Sequence, residues 1–163
     1  MAPIAQYRMD RDAEIALART AAPASISRDA EILVLGEKNF EVAVKGTNGY
    51  VCAVGRAFGG PLSNPEFWSP KNRSPICYNA PAVRSLLPYA MKQTAMALAG
   101  ASKSQIVDAI RTAVAKKELG PPETGSMAYM MSKDAYLTDR GGHNLAHLMF
   151  ELPRDGSFRD DAA

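Results

Sequence analysis

Long apolar runs are missing from this 163-residue sequence, and so is a strong excess of charge of either sign. No stretch approaches the roughly 18 consecutive apolar residues that a membrane-spanning helix requires, so we predict no transmembrane segment. The formal net charge is only +2, and the basic residues form no stripe along the chain. Because nucleic-acid-binding proteins concentrate positive charge on one surface, we do not expect a nucleic-acid partner.

Cysteine is scarce as well, with Cys52 and Cys77 as the only two. Their separation excludes a Cys-x-x-Cys motif, and with it a zinc ribbon or a thioredoxin-like site. The pair permits one disulfide in an oxidising compartment, or two buried thiols in the cytoplasm. No signal peptide is visible in the first ten residues, which contain no uninterrupted apolar run. Two localisations therefore stay open: cytoplasmic, or exported with the signal removed.

The remaining composition, with 47% apolar and 22% charged residues, is typical of a globular protein. We predict one α+β domain over residues 10–153, a flexible N-terminus over residues 1–9 and a flexible tail over residues 154–163. The strand patterns come first, helices follow, and strands return near the end of the domain. This order favours an antiparallel sheet of about five strands with helices covering one face.

Hydrophobic periodicity and capping residues define three predicted helices. A short helix over residues 10–20 begins at Asp10, which suits the N-cap position. A second helix spans residues 79–100 and should be kinked by Pro88. The third helix, over residues 102–119, opens with a serine–glutamine capping box. The two central helices are expected to pack together on the sheet.

The strands fall into an N-terminal meander and a C-terminal pair. Residues 40–45 alternate cleanly and place Phe40, Val42 and Val44 on one face. Asn48-Gly49 follows, a dipeptide typical of a two-residue hairpin, and predicts that the next strand pairs with this one. The predicted strands span residues 31–35, 40–45, 50–54, 127–131 and 146–152.

Histidine is as rare as cysteine, and both copies lie within one short segment. His143 and His147 are four residues apart, a spacing that brings two imidazoles together on one face of a helix in metalloproteases. Here Asn144 occupies the position of the glutamate base. Gly141-Gly142 before it and the strand pattern after it favour a junction between a loop and a strand. The segment is therefore not a zinc-protease motif.

A metal site of another kind stays open around these histidines. His143 and His147, joined by Asp139 or Met149, would supply ligands for copper or zinc. The methionines on the flanking strands would favour copper, especially Cu(I); they are Met127, Met130, Met131 and Met149. The alternative is one exposed loop histidine, one hydrogen-bonded core histidine and ordinary core methionines. Cys77 with either histidine would give a nucleophilic pair only if no disulfide engages it.

A proline-rich stretch over residues 59–81 carries Phe67 and Trp68, the only tryptophan. A loop of this length in a compact domain is either functional or tied down by its own side chains. The two aromatic rings would form a local hydrophobic cluster or, alternatively, a platform for a ligand. The pattern favours the cluster and leaves the platform open.

The sequence also resembles a group of bacterial proteins that are usually exported and to which no activity is assigned. Four segments carry the resemblance: AEIALAR at 13–19, VKGTNGYVC at 44–52, PICYN at 75–79 and YMMSK at 129–133. It implies that an export signal has been removed, that the protein is periplasmic or secreted, and that Cys52 and Cys77 are bonded. Similar proteins carry a Gly-His-x-His-x-His-Leu-Met-Phe segment. If that segment binds a metal in them, this chain has one ligand fewer, because Leu145 replaces the middle histidine.

Two classes of function follow from these patterns. The first is a small exported binding or interaction domain for an unknown protein or small-molecule ligand, with Phe67 and Trp68 at its surface. The second is a protein that binds copper or zinc through His143 and His147, with or without enzymatic activity. No complete catalytic set can be assembled, which favours the binding domain.

Overall fold

The computed structural model describes residues 1–139 and 146–151, and within them six strands form one mixed sheet with helices on both faces. The strands are β1 (Glu31–Leu35), β2 (Phe40–Val44), β3 (Val51–Gly55), β4 (Ser74–Tyr78), β5 (Met127–Met130) and β6 (His147–Phe150), in the spatial order β2-β1-β3-β4-β5-β6. The helices are α1 (Arg11–Arg19), α2 (Ala24–Ser27), α3 (Ala80–Ser85), α4 (Leu87–Leu98) and α5 (Lys103–Ala115). The predicted α+β class is confirmed.

Helix α1 covers one face of the sheet over β1, β3 and β4. The Asp10 side chain caps it as predicted, accepting hydrogen bonds from the Asp12 and Ala13 amides at 3.0 Å. Ala18 of this helix and Ala21, two residues after its end, are fully buried small residues. They pack with Ile32, Cys52, Val54 and Cys77 of the sheet. Helix α2 forms in the segment after Pro23.

The opposite face of the sheet is covered by α3 and α4, and α5 packs against α4. Leu33, Val51 and Ala53 of the sheet pack there against side chains of α3 and α4. The serine–glutamine capping box of α5 is confirmed, with Gln105 returning the hydrogen bond to Ser102. The prediction that helices cover one face is wrong, because α1 lies on the other.

The predicted hairpin at Asn48-Gly49 is also wrong. Strand β2 pairs with β1, and β3 pairs with the other side of β1 in a parallel arrangement. The chain leaves β2 and crosses closely beneath the start of β1, where a Cβ on Gly46 would lie 2.1 Å from the Glu31 amide nitrogen. Gly49 does adopt a positive φ of 77°, but in this crossover. The turn that joins two neighbouring strands lies earlier, where the Gly36 amide donates to the Asn39 carbonyl.

Burial explains why β3 lies inside the sheet and β2 at its edge. Four of the five residues of β3 are buried, whereas Glu41 and Val42 of β2 are exposed. A bulge opposite Ile32 and Leu33 moves Val44 to the α1 face, while Phe40 stays on the face of α3 and α4. The prediction of one shared face for these alternating side chains is therefore wrong.

Strand β4 lies within the stretch predicted to be irregular. It pairs antiparallel with all five residues of β3. Pro75 argued against a strand at this position, because proline has no amide hydrogen to donate to a sheet ladder and is rare inside sheets. The ladder between β4 and β5 involves only Cys77 and Tyr78, so Pro75 lies outside that ladder. The sheet thereby gains the strand that the sequence analysis lacked.

Pro88 breaks the predicted long helix instead of kinking it. Helix α3 ends at Ser85, and Pro88 occupies the first turn of α4, where the missing amide hydrogen costs no helical bond. The Asn79 side chain caps α3 through the Ala82 amide and also accepts a hydrogen bond from the Met127 amide at 3.0 Å. One asparagine thus fixes the start of α3 against the start of β5.

A buried ion pair joins α1 to the end of β3. Arg56 donates to Glu14 Oε1 at 3.0 Å and to the Tyr7 carbonyl at 2.6 Å, and both charged side chains are almost fully buried. The same carboxylate oxygen accepts a hydrogen bond from the Leu35 amide at 3.1 Å. Residues 1–9, predicted to be flexible, contribute Tyr7 to the core, and its hydroxyl donates to the Trp68 carbonyl at 2.7 Å.

Candidate functional site

Strands β5 and β6 hold the described part of the histidine segment. His147 begins β6 directly opposite Met130 of β5, and Met149 lies two residues further along the same face. Two of the four predicted metal ligands, His147 and Met149, are therefore brought to one face of the sheet. His143 lies outside the described residues, so its part in a metal site stays a prediction.

Asp139, the remaining predicted ligand, is engaged by two other side chains. Its carboxylate accepts hydrogen bonds from the Tyr136 hydroxyl and from Lys71 Nζ at 3.0 and 3.1 Å. These bonds hold the pKa of the Asp139 carboxyl below its usual value, and they raise the pKa of Tyr136 and of Lys71. A metal ion bound by Asp139 would compete with the Lys71 ammonium group, which makes Asp139 a weak candidate ligand.

Further polar contacts tie the proline-rich loop to residues 136–139. The Thr138 hydroxyl donates to Glu66 Oε1 at 2.8 Å, and the Asp139 amide donates to Glu66 Oε2 at 3.3 Å. Arg73, the residue directly before β4, forms an isolated β-bridge with Tyr136. Each of these contacts joins two segments of the chain. The long loop is thus tied down, as one of the two interpretations predicted.

Residues 1–139 and 146–151 contain no cluster of the side chains that most often bind metal ions. No three His, Cys, Asp or Glu side chains of this part of the chain are grouped closely enough to hold an ion. A zinc site of three or four such ligands therefore has no support in these residues. This result does not cover thioether ligands, and Met130 and Met149 lie on the same face as His147.

The aromatic pair of the proline-rich loop belongs largely to the core. Phe67 is only 2% exposed and packs with Tyr7 and Phe58 in the cluster beneath α4 and α5. Trp68 is half-buried, and its ring meets the Phe67 ring edge-on with centroids 4.7 Å apart. Lys103 Nζ lies 5.3 Å from the centre of the Phe67 ring. Of the proposed ligand platform, only the Trp68 ring reaches solvent.

A thiolate nucleophile is not present in the folded protein. Cys52 and Cys77 are register partners on β3 and β4 and form a disulfide, and both are fully buried. Cys77 cannot then act as a thiolate paired with a histidine. The bond lies on the α1 face, where it joins two central strands of the sheet.

The surface of β6 was missed by the sequence analysis. Phe150 is 68% exposed and Leu148 is 44% exposed, and both lie on the α1 face of β6, the last strand of the sheet among residues 1–139 and 146–151. Tyr129 lies opposite Leu148, and its ring is 6.3 Å from that of Tyr50. The alternation of His147, Leu148, Met149 and Phe150 predicts a strand but gives no sign of which side is covered. Only the position of α1 over the other strands decides it.

Tyr78 provides a pH-dependent probe of this end of the sheet. It lies on β4 opposite Ala128, and burial, reinforced by Glu151, raises its pKa to about 12. Between pH 10.0, the ordinary pKa of a tyrosine, and about pH 12, the Tyr78 phenol ionises in the unfolded chain but stays protonated in the folded protein. Stability present below pH 10 is therefore expected to fall as the pH rises towards 12. A pH titration followed by ultraviolet absorbance should show a phenol that ionises near pH 12, and this step should be missing in Tyr78→Phe. A step of unchanged size in that variant would contradict the assignment.

None of the helices in residues 1–139 and 146–151 has the length and apolar character needed to cross a membrane. Comparison of the chain with protein-family models, with curated proteins and with solved structures finds no match. Any function must therefore be argued from the geometry of the chain itself.

Proposed function

We propose that this protein is a small binding domain that takes up an extended segment of a partner polypeptide along strand β6. The exposed apolar edge of β6 is the observation that carries the proposal. Strand β6 is the last in the sheet order within the described residues, and an edge strand presents backbone N–H and C=O groups to an added strand. Recognition by strand addition draws its affinity from such groups and its specificity from alternate side chains.

Apolar side chains on the α1 face of β5 and β6 supply that specificity. Phe150 lies opposite Met127, and Leu148 lies opposite Tyr129. The four form one surface on adjacent strands, because directly opposite residues point to the same side of a sheet. A partner with apolar side chains at alternate positions would cover Leu148 and Phe150 and remove their surface from water.

A comparison of the two edge strands supports the choice of β6. Strand β2, at the opposite edge, contains Glu41, and a charged residue within an edge strand discourages strand addition. Both strands are followed directly by a charged residue, Lys45 after β2 and Glu151 after β6. Strand β6 has no Asp, Glu, Lys, Arg or Pro between His147 and Phe150. The occupant we infer is therefore an extended, uncharged segment with alternating apolar residues.

Selection from a random peptide library displayed on phage would test this function. We expect enriched peptides with apolar residues at alternate positions, and at least tenfold weaker binding to Phe150→Lys. Val42→Lys is the matched control, since Val42 is a 50% exposed apolar residue on the other edge strand. It should bind as tightly as the unmodified chain.

Two results would contradict the proposal. One is enrichment of no peptide, or of peptides that bind Phe150→Lys and the unmodified protein equally well. The other is a stable dimer in sedimentation experiments that Phe150→Lys dissociates, because the occupant of the edge would then be a second copy of the chain.

We further propose an oxidising setting, periplasmic or secreted, for this domain. The buried Cys52–Cys77 disulfide supports it, because such bonds persist mainly in oxidising compartments. The resemblance to exported bacterial proteins points in the same direction. The alternative is a cytoplasmic protein with two buried thiols, and quantifying free thiols in protein isolated from its native cells, unfolded without reductant, distinguishes the two.

A further inference from the structure

A set of soft potential ligands occupies the face of β5 and β6 that is turned away from α1. Met130 and His147 are directly opposite each other, and Met149 follows two residues later on the same side. Ala128, opposite Met149, completes the four positions of this small square and contributes only a methyl group. We call Met130, His147 and Met149 the soft-ligand set.

The spacing of this set suits a single ion. Directly opposite residues in an antiparallel pair have Cβ atoms about 4.5–5.5 Å apart, and diagonal neighbours are about 7–8 Å apart. The two methionine side chains are long and unbranched, with three rotatable bonds, so their sulfur atoms can approach an ion held by the imidazole.

The chemistry of the set selects the metal. Thioether sulfur is a soft, neutral ligand that favours Cu(I), and imidazole binds copper as well. Asp139 is held by Lys71 and Tyr136, so it does not contribute a carboxylate to this set. A metal-bound imidazole uses one nitrogen and keeps the other for a hydrogen bond, so binding is compatible with further contacts of His147.

We propose that Met130, His147 and Met149 form a binding site for Cu(I), with one imidazole nitrogen and two Sδ atoms as ligands. The site differs from the one predicted from the sequence, because it uses Met130 and does without Asp139. It is independent of the proposed strand-binding function, which uses the α1 face of the same two strands.

Titration with Ag(I), a redox-inert analogue of Cu(I), tests the proposal without a reductant that would open the Cys52–Cys77 disulfide. We expect one Ag(I) per chain by isothermal titration calorimetry, and at least tenfold weaker binding in each of Met130→Leu, Met149→Leu and His147→Ala. Cu(I), buffered by bicinchoninate, should follow the same order. The leucine substitutions conserve volume, so the fold should be kept.

Met131→Leu is the matched control, because Met131 is exposed and follows the last residue of β5, where its amide donates to the Ala21 carbonyl and not to β6. Its affinity for Ag(I) should equal that of the unmodified chain. In protein with carbon-13-labelled methionine methyl groups, Ag(I) should shift the Met130 and Met149 signals and leave Met131 in place. Absence of binding at 100-fold molar excess, equal losses in all variants, or shifts confined to other methionines would overturn the proposal.

Discussion

Replacement of Glu14 by Gln is expected to lower the free energy of unfolding by about 3–5 kcal/mol. The substitution removes the carboxylate that compensates Arg56, whose guanidinium group is buried between α1 and the end of β3. A buried charge without its partner retains the full cost of desolvation, and that cost is what the variant would reveal. Natural proteins have a total stability of about 5–15 kcal/mol, so the loss is a large fraction of it.

Urea unfolding monitored by circular dichroism would measure this effect. Glu123→Gln is the control, because it breaks an exposed ion pair with Arg84 and should leave the unfolding midpoint almost unchanged. The double variant Glu14→Gln with Arg56→Met should be more stable than Glu14→Gln alone, since it removes the uncompensated charge as well. Equal midpoints for Glu14→Gln and Glu123→Gln would contradict the structural role of the pair.

This ion pair also shows a limit of sequence analysis. Glu14 lies in the first turn of an amphipathic helix, where an acidic residue is ordinarily interpreted as a solvent-exposed partner of the helix dipole. Its burial depends on β1 and on the residue after β3, both of which lie far along the chain. Local patterns predicted α1 and its cap correctly but carry no information about the contacts of one of its side chains.

The topology of the sheet was hidden for a similar reason. Propensity and alternation predicted β1, β2 and β3 nearly to the residue, because they depend on neighbours within a few positions. Strand order depends on which strands are buried on both faces. The continuous apolar pattern of β3 indicates a central strand, and that signal should have outweighed the local hairpin signal of Asn48-Gly49.

The candidate sites were predictable to different degrees. The clustering of His147 and Met149 was visible in the sequence, and strand alternation placed them on one face. Met130 is one of the methionines on the strands that flank the histidine segment, but its position opposite His147 follows from the register of β5 and β6. The apolar surface at Phe150 is exposed because α1 lies over β1, β3 and β4 and does not extend to β6. The sequence of β6 alone carries no information about the position of α1.

Removal of the Cys52–Cys77 disulfide is the second change expected to have a large effect. The cysteines are 25 residues apart in sequence, and closing a loop of that size restricts the unfolded chain by an amount worth about 3 kcal/mol. Cys52→Ala with Cys77→Ala should lower the urea midpoint accordingly, with a further loss from the space left in the core. The unmodified protein, unfolded and refolded with reductant, should lose stability to a similar extent.

Reductant should leave the double alanine variant unchanged, which separates loss of the bond from other effects of the reagent. An unmodified protein whose midpoint stays constant after both thiols are shown to be reduced would contradict the prediction. The bond also bears on the proposed sites, because Cys77 pairs with Tyr129 of β5 and the β4–β5 ladder contains only one further pair. A ladder of two pairs is weak by itself, and the disulfide holds β4 in place against β3. Reduction should therefore accelerate hydrogen exchange in β5 and β6 more than in β1, on the side of the sheet where both proposed binding surfaces lie.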